Sequence, residues 1–202
     1  SSGAPADNAR QVTSFTAMDS LIAALVRAFP SARTVTVAGF SAGVQYVQRY
    51  AAFTAPAPSG VHLRFVVADP SSFLYFDPER PQPGIAACPR YNRWKFGTED
   101  LPSFLGRDAV AERATDAGAD LAYLEGSRDR DAGPGTAYKH LARNCAAELQ
   151  GPYRLQRGLA YAAYDKAKLA HGAHALTIVP GCAHSVSCVF PAPTARAALF
   201  GN

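Results

Sequence analysis

The sequence predicts an α/β fold in which a mostly parallel sheet carries helices on both faces. Segments rich in β-branched residues alternate with segments whose apolar residues recur at helical spacing, and this alternation is typical of parallel sheets. The chain has 202 residues, 48% hydrophobic and 18% charged, which suits one domain with a sizeable core. A strand-like run also enters the turn Gly39-Phe40-Ser41-Ala42-Gly43, and a helix-like run leaves it. We therefore expect a single domain over residues 1–202.

The elements follow from these two periodicities in chain order. Apolar residues at helical spacing predict a first helix over residues 15–29, which Pro30 ends. A buried strand is predicted over 61–68, and Asp69-Pro70 ends it. The other predicted elements are strands 34–38, 120–125 and 174–179 and helices 42–53, 103–117, 137–149, 153–171 and 193–200. Residues 1–9 are small and polar, so we expect a flexible start.

Residues 71–118 form a long excursion between two predicted strands. The segment opens with aromatic residues, continues through Pro- and Gly-rich sequence and ends in a predicted helix. We expect a cap-like insertion over the site, in which Phe73, Tyr75 and Trp94, with Phe40 of the turn, bind substrate. The alternative is that the aromatic side chains of the insertion are simply core beneath the cap.

Composition and charge argue against two classes of partner. No apolar run is long enough to cross a membrane, so we expect no membrane span. The net charge is +4 and the basic residues are scattered. The densest basic group, Arg90, Arg93 and Lys95, lies among aromatic residues, which favours a solvated surface with cation–π contacts over a nucleic-acid face.

The turn around Ser41 predicts a nucleophile. A G-x-S-x-G pattern between a strand and a helix is typical of a strained turn that exposes the serine Oγ above the sheet edge. Small residues at Gly39 and Gly43 would let the strand and the helix approach without a clash. We expect the Ala42 N–H, at the start of the helix, to stabilise developing negative charge in an oxyanion hole.

A serine hydroxyl is a poor nucleophile until a base takes its proton, and an acid usually orients that base. His184 follows the last predicted strand after a glycine, as this mechanism requires, so we expect it to be the base. The acid should follow a strand between Ser41 and His184. Asp129 fits best, while Asp69 and Asp131 remain alternatives, and each could instead be an ordinary turn or cap aspartate.

The cysteines suggest an oxidising compartment. Cys182 and Cys188 bracket His184, whereas Cys88 lies in a Pro/Gly-rich loop and Cys145 in a predicted helix. We expect the disulfides Cys182–Cys188 and Cys88–Cys145 in a secreted or periplasmic protein whose leader has been removed. The alternative is a cytosolic protein with reduced, buried thiols.

Several longer stretches match a known superfamily over nearly the whole chain. They are Val37 to Gly43 with Arg49-Tyr50, Asp69-Pro70-Ser71-Ser72 with Tyr75, Cys88 to Lys95, Tyr123 to Gly126 with Asp129, Cys145 with Gln150-Gly151 and Arg157-Gly158, and Val179-Pro180-Gly181 with His184. With these stretches the chain resembles the C-terminal two thirds of an α/β-hydrolase, and more narrowly a group of exported microbial members with poorly defined substrates. The resemblance implies a triad of Ser41, Asp129 and His184.

The chain departs from this superfamily before the elbow. An α/β-hydrolase normally has several strands there, and the loop after an early strand supplies one oxyanion donor. Here one helix, one strand and a short tail precede Ser41. We therefore expect a fragment whose partner is an N-terminal fragment of the same precursor, and weak activity alone, since losing one donor costs about 10²–10³ in rate. The alternative is a shortened but complete domain.

Together these patterns predict a serine hydrolase that cleaves a small or polymeric carboxylic ester through an acyl-enzyme. The H-x-x-H formed by His171 and His174 lacks an acidic or cysteine ligand, so we expect no metal and no cofactor. The alternatives are a peptidase or amidase with the same triad, or a non-catalytic binding subunit with a hydrolase fold.

Overall fold

A parallel sheet of four strands forms the centre of the molecule. The computed structural model describes residues 12–106 and 108–201, so the expected flexible start at 1–9 lies outside the described residues. The strands are β1 (Thr34–Phe40), β2 (His62–Ala68), β3 (Asp120–Gly126) and β4 (Ala175–Val179). They lie side by side in chain order, so their carboxyl ends share one edge of the sheet.

Helices connect the strands and cover the sheet. They are α1 (Ser14–Ala28), α2 (Ala42–Phe53), α3 (Ala109–Ala117), α4 (Cys145–Glu148), α5 (Arg154–Lys168), α6 (Val186–Val189) and α7 (Arg196–Phe200). Short 3₁₀ turns occupy Ile85–Ala87, Ser103–Leu105, Tyr138–His140 and Pro193–Ala195. The predicted α/β fold is confirmed, and the described strands and the first two helices lie within two residues of their predicted bounds.

The two central strands, β2 and β3, are largely buried on both faces, whereas the edge strands β1 and β4 are only partly buried. Successive side chains of a strand point to opposite faces. Accordingly, Phe65 and Val67 of β2 pack with α1, α2 and α5, whereas Val66 and Ala68 pack with α6 and the segment before α7. The two hydrophobic clusters hold the sheet rigid, which fixes the loops at its carboxyl edge.

The helix predicted over residues 137–149 is wrong. Residues Tyr138–His140 form a single 3₁₀ turn, the chain is extended at Leu141, and α4 begins only at Cys145. Buried arginine side chains from α5 take carbonyl oxygens that a helix would need: Arg154 bonds to Thr136 and Ala137, and Arg157 bonds to Ala142. Tertiary contacts here override local helix propensity.

Three other predicted helices are shorter than expected, and one of them, predicted over 153–171, is α5 and ends at Lys168. The helix predicted over 103–117 is split, because Gly106 adopts a left-handed conformation with φ of 73° and α3 starts after Asp108. The Asp108 side chain accepts hydrogen bonds from the first amides of α3, which is a typical N-cap. The last predicted helix, 193–200, is a 3₁₀ turn followed by α7.

The excursion over residues 71–118 is anchored to the core. Its first aromatic residues are buried among the side chains of the main hydrophobic cluster. A disulfide between Cys88 and Cys145 ties its middle to α4, and a second disulfide joins Cys182 to Cys188. Within the described ranges, no helix combines the length and the hydrophobicity needed to cross a bilayer.

Candidate active site

Ser41 occupies a strained turn between β1 and α2. Its backbone has φ of 57° and ψ of −118°, a conformation that residues other than glycine rarely adopt. A Cβ on Gly39 would lie 2.7 Å from the Cα of Val44, so the strand and the helix can approach only because residue 39 is glycine. A Cβ on Gly43 would meet no heavy atom within 4 Å, so the expectation that Gly43 is needed for the same close approach is wrong.

Ser41, His184 and Asp129 form a continuous line of hydrogen bonds. The Nε2 atom of His184 lies 2.7 Å from Ser41 Oγ, and its Nδ1 lies 2.7 Å from Asp129 Oδ2. The side chains of His184 and Asp129 are only 6% and 2% exposed, whereas Ser41 is half-buried. An acid, an imidazole and a hydroxyl in this order can pass a proton from the serine to the histidine.

Arg154 at the start of α5 holds the outer oxygen of Asp129. Its Nη1 lies 3.4 Å from Asp129 Oδ1 and donates a 2.7 Å hydrogen bond to the Thr136 carbonyl. The guanidinium is 1% exposed, so this ion pair is fully enclosed. The backbone carbonyl of Asp129 in turn accepts the amide of Leu155. The start of α5 thus holds Asp129 at two points, because Arg154 contacts its carboxylate and the Leu155 amide donates to its backbone carbonyl.

The loops after β3 and β4 are joined by backbone hydrogen bonds that bring Asp129 and His184 together. Arg128 N–H donates to Cys182 O at 2.8 Å, and His184 N–H donates to Gly135 O at 3.0 Å. A Cβ on Gly126 would lie 2.7 Å from Cys182 O, so glycine at this position permits the close approach. The Cys182–Cys188 disulfide closes a short loop around His184.

The other two candidate acids have different environments. Asp131 is exposed, and its Oδ1 accepts the N–H of Gly133 within its own loop. Asp69 is fully buried next to the triad, with φ of 46°, and its Oδ1 accepts the Gly126 N–H at 2.8 Å. Burial raises the pKa of Asp69 to about 6, against the lowering effect of the Gly126 N–H.

Asp69, Asp129 and His184 could also offer ligand atoms to a cation. One atom from each lies within 4.8 Å of the others, and this is the only such group of three or more among the described residues. The hydrogen bond between Asp129 and His184 already uses two of these groups, and the Arg154 guanidinium opposes a further positive charge. We therefore treat these residues as acid–base groups.

The aromatic residues expected to bind substrate lie in different places. Phe40 is half-buried, and its ring centroid is 4.7 Å from that of His184, so it packs directly on the His184 imidazole. Phe73 and Tyr75 are 0% and 1% exposed and pack on Tyr161, which places them in the core, the alternative considered for them above. Trp94 is half-buried with its ring against Phe53.

Ala42 is the first residue of α2 and is exposed. The first amides of a helix have no acceptor within the helix, so the Ala42 N–H is available to a bound oxyanion. The helix dipole adds a partial positive charge at the same point. Ala42 therefore has the position that an oxyanion donor beside Ser41 requires.

Sequence reasoning missed the polar residues that hold the surrounding loops. Arg49 is fully buried and donates to the Lys95 carbonyl, and Gln150 bonds both the N–H and the carbonyl of Phe73. Arg157 donates to Gly151 O. Arg49, Gln150 and Arg157 all lie in the stretches that carry the superfamily resemblance, but nothing in the sequence showed what they contact.

No protein-family model and no curated protein matches the chain. Solved structures that resemble it include poly(aspartic acid) hydrolase-1 from Sphingomonas sp. KT-1, with TM-score 0.62 and 25% identity, and LpqC, a poly(3-hydroxybutyrate) depolymerase from Bordetella parapertussis, with TM-score 0.56 and 23% identity. The alignments cover 88% and 85% of this chain but only 60% and 52% of those proteins.

These likenesses agree with the parallel α/β fold of the chain. The chain thus has an α/β fold similar to that of these two hydrolases, in agreement with the resemblance that its sequence carries.

Proposed function

We propose that this chain supplies the catalytic residues of a serine hydrolase that cleaves carboxylic esters. The observation that supports this function best is the line of hydrogen bonds from Ser41 through His184 to Asp129, with both distances at 2.7 Å. The strained backbone of Ser41 and the enclosed Asp129–Arg154 ion pair add to it. A hydroxyl, an imidazole and a carboxylate in this arrangement are the groups that acyl transfer needs.

In the proposed reaction, Ser41 Oγ attacks the acyl carbon while its proton passes to His184 Nε2. Asp129 accepts the Nδ1–H hydrogen bond and stabilises the imidazolium that forms. The Ala42 N–H stabilises the oxyanion, and the imidazolium then protonates the leaving alcohol as the C–O bond breaks. Water attacks the acyl-enzyme with the same base, and the acid product leaves as Ser41 regains its proton.

The test uses a fluorophosphonate probe and a p-nitrophenyl ester. We expect the probe to label Ser41, and we expect ester hydrolysis and labelling both to disappear in Ser41→Ala. Ser187→Ala, which changes an exposed serine, is the matched control. If Ser41 is not labelled, even with any polypeptide that co-purifies, the chain is instead a non-catalytic binding subunit.

A polyamide is the second candidate substrate. One of the similar structures is a poly(aspartic acid) hydrolase, and that polymer is linked by amide bonds and carries carboxylates. Arg128 and Arg130 flank Asp129, are exposed, and form no ion pair with another described residue. They could attract an acidic polymer electrostatically.

Matched ester and anilide substrates separate the two candidates. If the polyamide is the substrate, the double change Arg128→Gln and Arg130→Gln should raise KM for poly(aspartic acid) several-fold but not for a neutral ester. The matched control is Arg33→Gln, an exposed arginine just before β1.

We also propose that a further segment of the same precursor packs beside β1 and supplies the second oxyanion donor. The support is that β1 lies at one edge of the sheet and is only partly buried. Leu21 and Leu25 share one face of α1 and are 52% and 40% exposed, and Phe29, directly after α1, is 61% exposed. Intact-mass analysis of the native material tests this proposal, which expects a second polypeptide or a longer chain.

The disulfides support export to a secreted or periplasmic location. Cys88 and Cys182 are buried, Cys188 is half-buried and Cys145 is exposed, and disulfides persist in oxidising compartments. Fractionation of the source cells would test the location, with recovery of the oxidised chain outside the cytoplasm as the expected result.

A further inference from the structure

A second buried carboxyl pair lies directly behind the proposed triad. Asp69 follows β2 and Glu125 lies within β3, and both residues are 0% exposed. Asp69 Oδ1 accepts the Gly126 N–H, but Asp69 Oδ2 and both oxygens of Glu125 receive no N–H or hydroxyl proton from any described residue. The Asp69 carboxyl raises the pKa of Glu125, whereas Glu125 lowers the pKa of Asp69, as expected where one carboxyl group of a close pair is protonated and the other ionised.

Glu125 is the member of the pair that holds the proton. Burial together with the Asp69 carboxyl raises the pKa of Glu125 well above its usual range. The fold makes specific room for its side chain, because a Cβ on Gly158 of α5 would lie 2.1 Å from Glu125 Oε1. The protonated Glu125 can then donate to Asp69 and stabilise the ionised form of Asp69.

Asp69 is close enough to act on the catalytic histidine. Ligand atoms of Asp69, Asp129 and His184 lie within 4.8 Å of one another. The charged or titratable groups facing this cluster are Glu125 from β3 and Arg154 from α5, which pairs with Asp129. Because the site is largely enclosed, a charge on Asp69 is weakly screened by water.

We propose that Asp69 is a positioning residue of the triad, a second carboxylate that stabilises the protonated form of His184 during the reaction. This inference rests on the proposed serine-hydrolase function. Asp129 accepts the Nδ1–H, while Asp69, ionised with the help of Glu125, adds a second negative charge nearby. Neither carboxylate takes the proton from His184, which goes on to the leaving group as described above.

The role of Asp69 gives the reaction its own pH dependence. Only the ionised carboxylate attracts the imidazolium, and burial raises the pKa of Asp69 to about 6. Activity should therefore rise as pH increases through about 6. A carboxyl group that only filled space in the core would not give the reaction this ionisation.

The experiment compares Asp69→Asn with the natural chain over pH 5 to 9, with a p-nitrophenyl ester as substrate. Asparagine keeps an acceptor for Gly126 N–H but cannot ionise. We expect kcat at pH 8 to fall roughly tenfold, the effect of one pKa unit, with KM little changed and the inflection near pH 6 lost. Asp116→Asn, which changes an equally buried aspartate on α3, should keep the natural profile.

A matched pair at Glu125 provides a second test that does not depend on the folding of Asp69→Asn. Glu125→Gln keeps a hydrogen-bond donor to Asp69, whereas Glu125→Met removes it. Without that donor Asp69 ionises less readily, so only the methionine variant should lose activity at a higher pH on the acid side of the profile. Natural profiles for Asp69→Asn, or identical profiles for the two Glu125 variants, would overturn the role of Asp69. Probe labelling of Ser41 in each variant reports separately on the hydrolase proposal.

Discussion

At the scale of single residues, the candidate site depends on how His184 and Asp129 are fixed. His184 is held at Nδ1 by Asp129 and on its ring face by Phe40. Asp129 in turn depends on Arg154, an enclosed arginine that also bonds the carbonyl of Thr136. Arg154 therefore joins the acid of the triad to the loop that follows β3.

Replacing Arg154 with Met should damage both stability and catalysis. The change leaves the Asp129 carboxylate buried without its cation, which typically costs about 3–5 kcal/mol. Urea unfolding and kcat measure the two effects, and Arg196→Met, at an exposed arginine on α7, is the control that should change neither. Unchanged stability in Arg154→Met would show that the ion pair is not needed to hold Asp129.

At the scale of elements, the strained turn depends on how closely β1 and α2 pack. The two glycines of the turn differ in this respect, because a Cβ on Gly39 would clash with Val44 while a Cβ on Gly43 would meet nothing. The close packing is thus required before Ser41 and not after it. Phe40, between Gly39 and Ser41, is free to pack on the imidazole.

Alanine substitutions at the two glycines should have opposite effects. Gly39→Ala should cost about 1–3 kcal/mol or more, because the added methyl overpacks a backbone contact. Gly43→Ala should be neutral or stabilising by up to about 1 kcal/mol, because alanine favours the helix. Urea midpoints measure both variants, and equal losses would argue against the packing explanation.

The two disulfides should also differ in their contribution. Loop-closure entropy predicts about 4 kcal/mol for Cys88–Cys145, with a sequence separation of 57, and about 2 kcal/mol for Cys182–Cys188, with a separation of 6. Paired Cys→Ala variants with thermal unfolding test the order. The pair around His184 should lose relatively more activity than stability, since it holds the loop of the base; the opposite pattern would contradict this role.

At the scale of the whole molecule, the sheet and its helices bury several carboxyl groups. Burial raises the pKa of Asp69 to about 6 and that of Asp116 to about 7. His174, hydrogen-bonded to Asp165, also has a raised pKa, although its burial acts in the opposite direction. In each case the folded chain holds a proton more tightly than the unfolded chain does.

The fold should therefore lose stability as pH rises. Between about 4 and about 7, the unfolded chain has released protons that the folded chain keeps, so the free energy of unfolding falls with increasing pH. We expect a loss of roughly 2 kcal/mol between pH 5.5 and 8, measured by urea unfolding. Asp116→Asn should reduce this loss, whereas Asp108→Asn at the exposed cap of α3 should not. A flat profile would contradict the burial of Asp116 as a proton-holding group.

Local chemistry was enough to predict the strands and the turn at Ser41. Strand periodicity and the glycine before the nucleophile act within a few residues, so they can be read from sequence. Arg154 could not be predicted, because it meets Asp129 across 25 residues and no local pattern marks that contact. The failed helix over residues 137–149 has the same cause, since α5 arginines capture its carbonyls.

The parallel order of the sheet separates the reacting groups widely along the chain. Ser41 and His184 are 143 residues apart and follow the first and last strands. Contacts at such a separation form slowly in refolding, because long loops must close before they gain any contact. During refolding, helix formation should therefore precede the recovery of ester hydrolysis. An assay of ester hydrolysis during refolding would therefore detect only the molecules in which β4 has already joined the sheet.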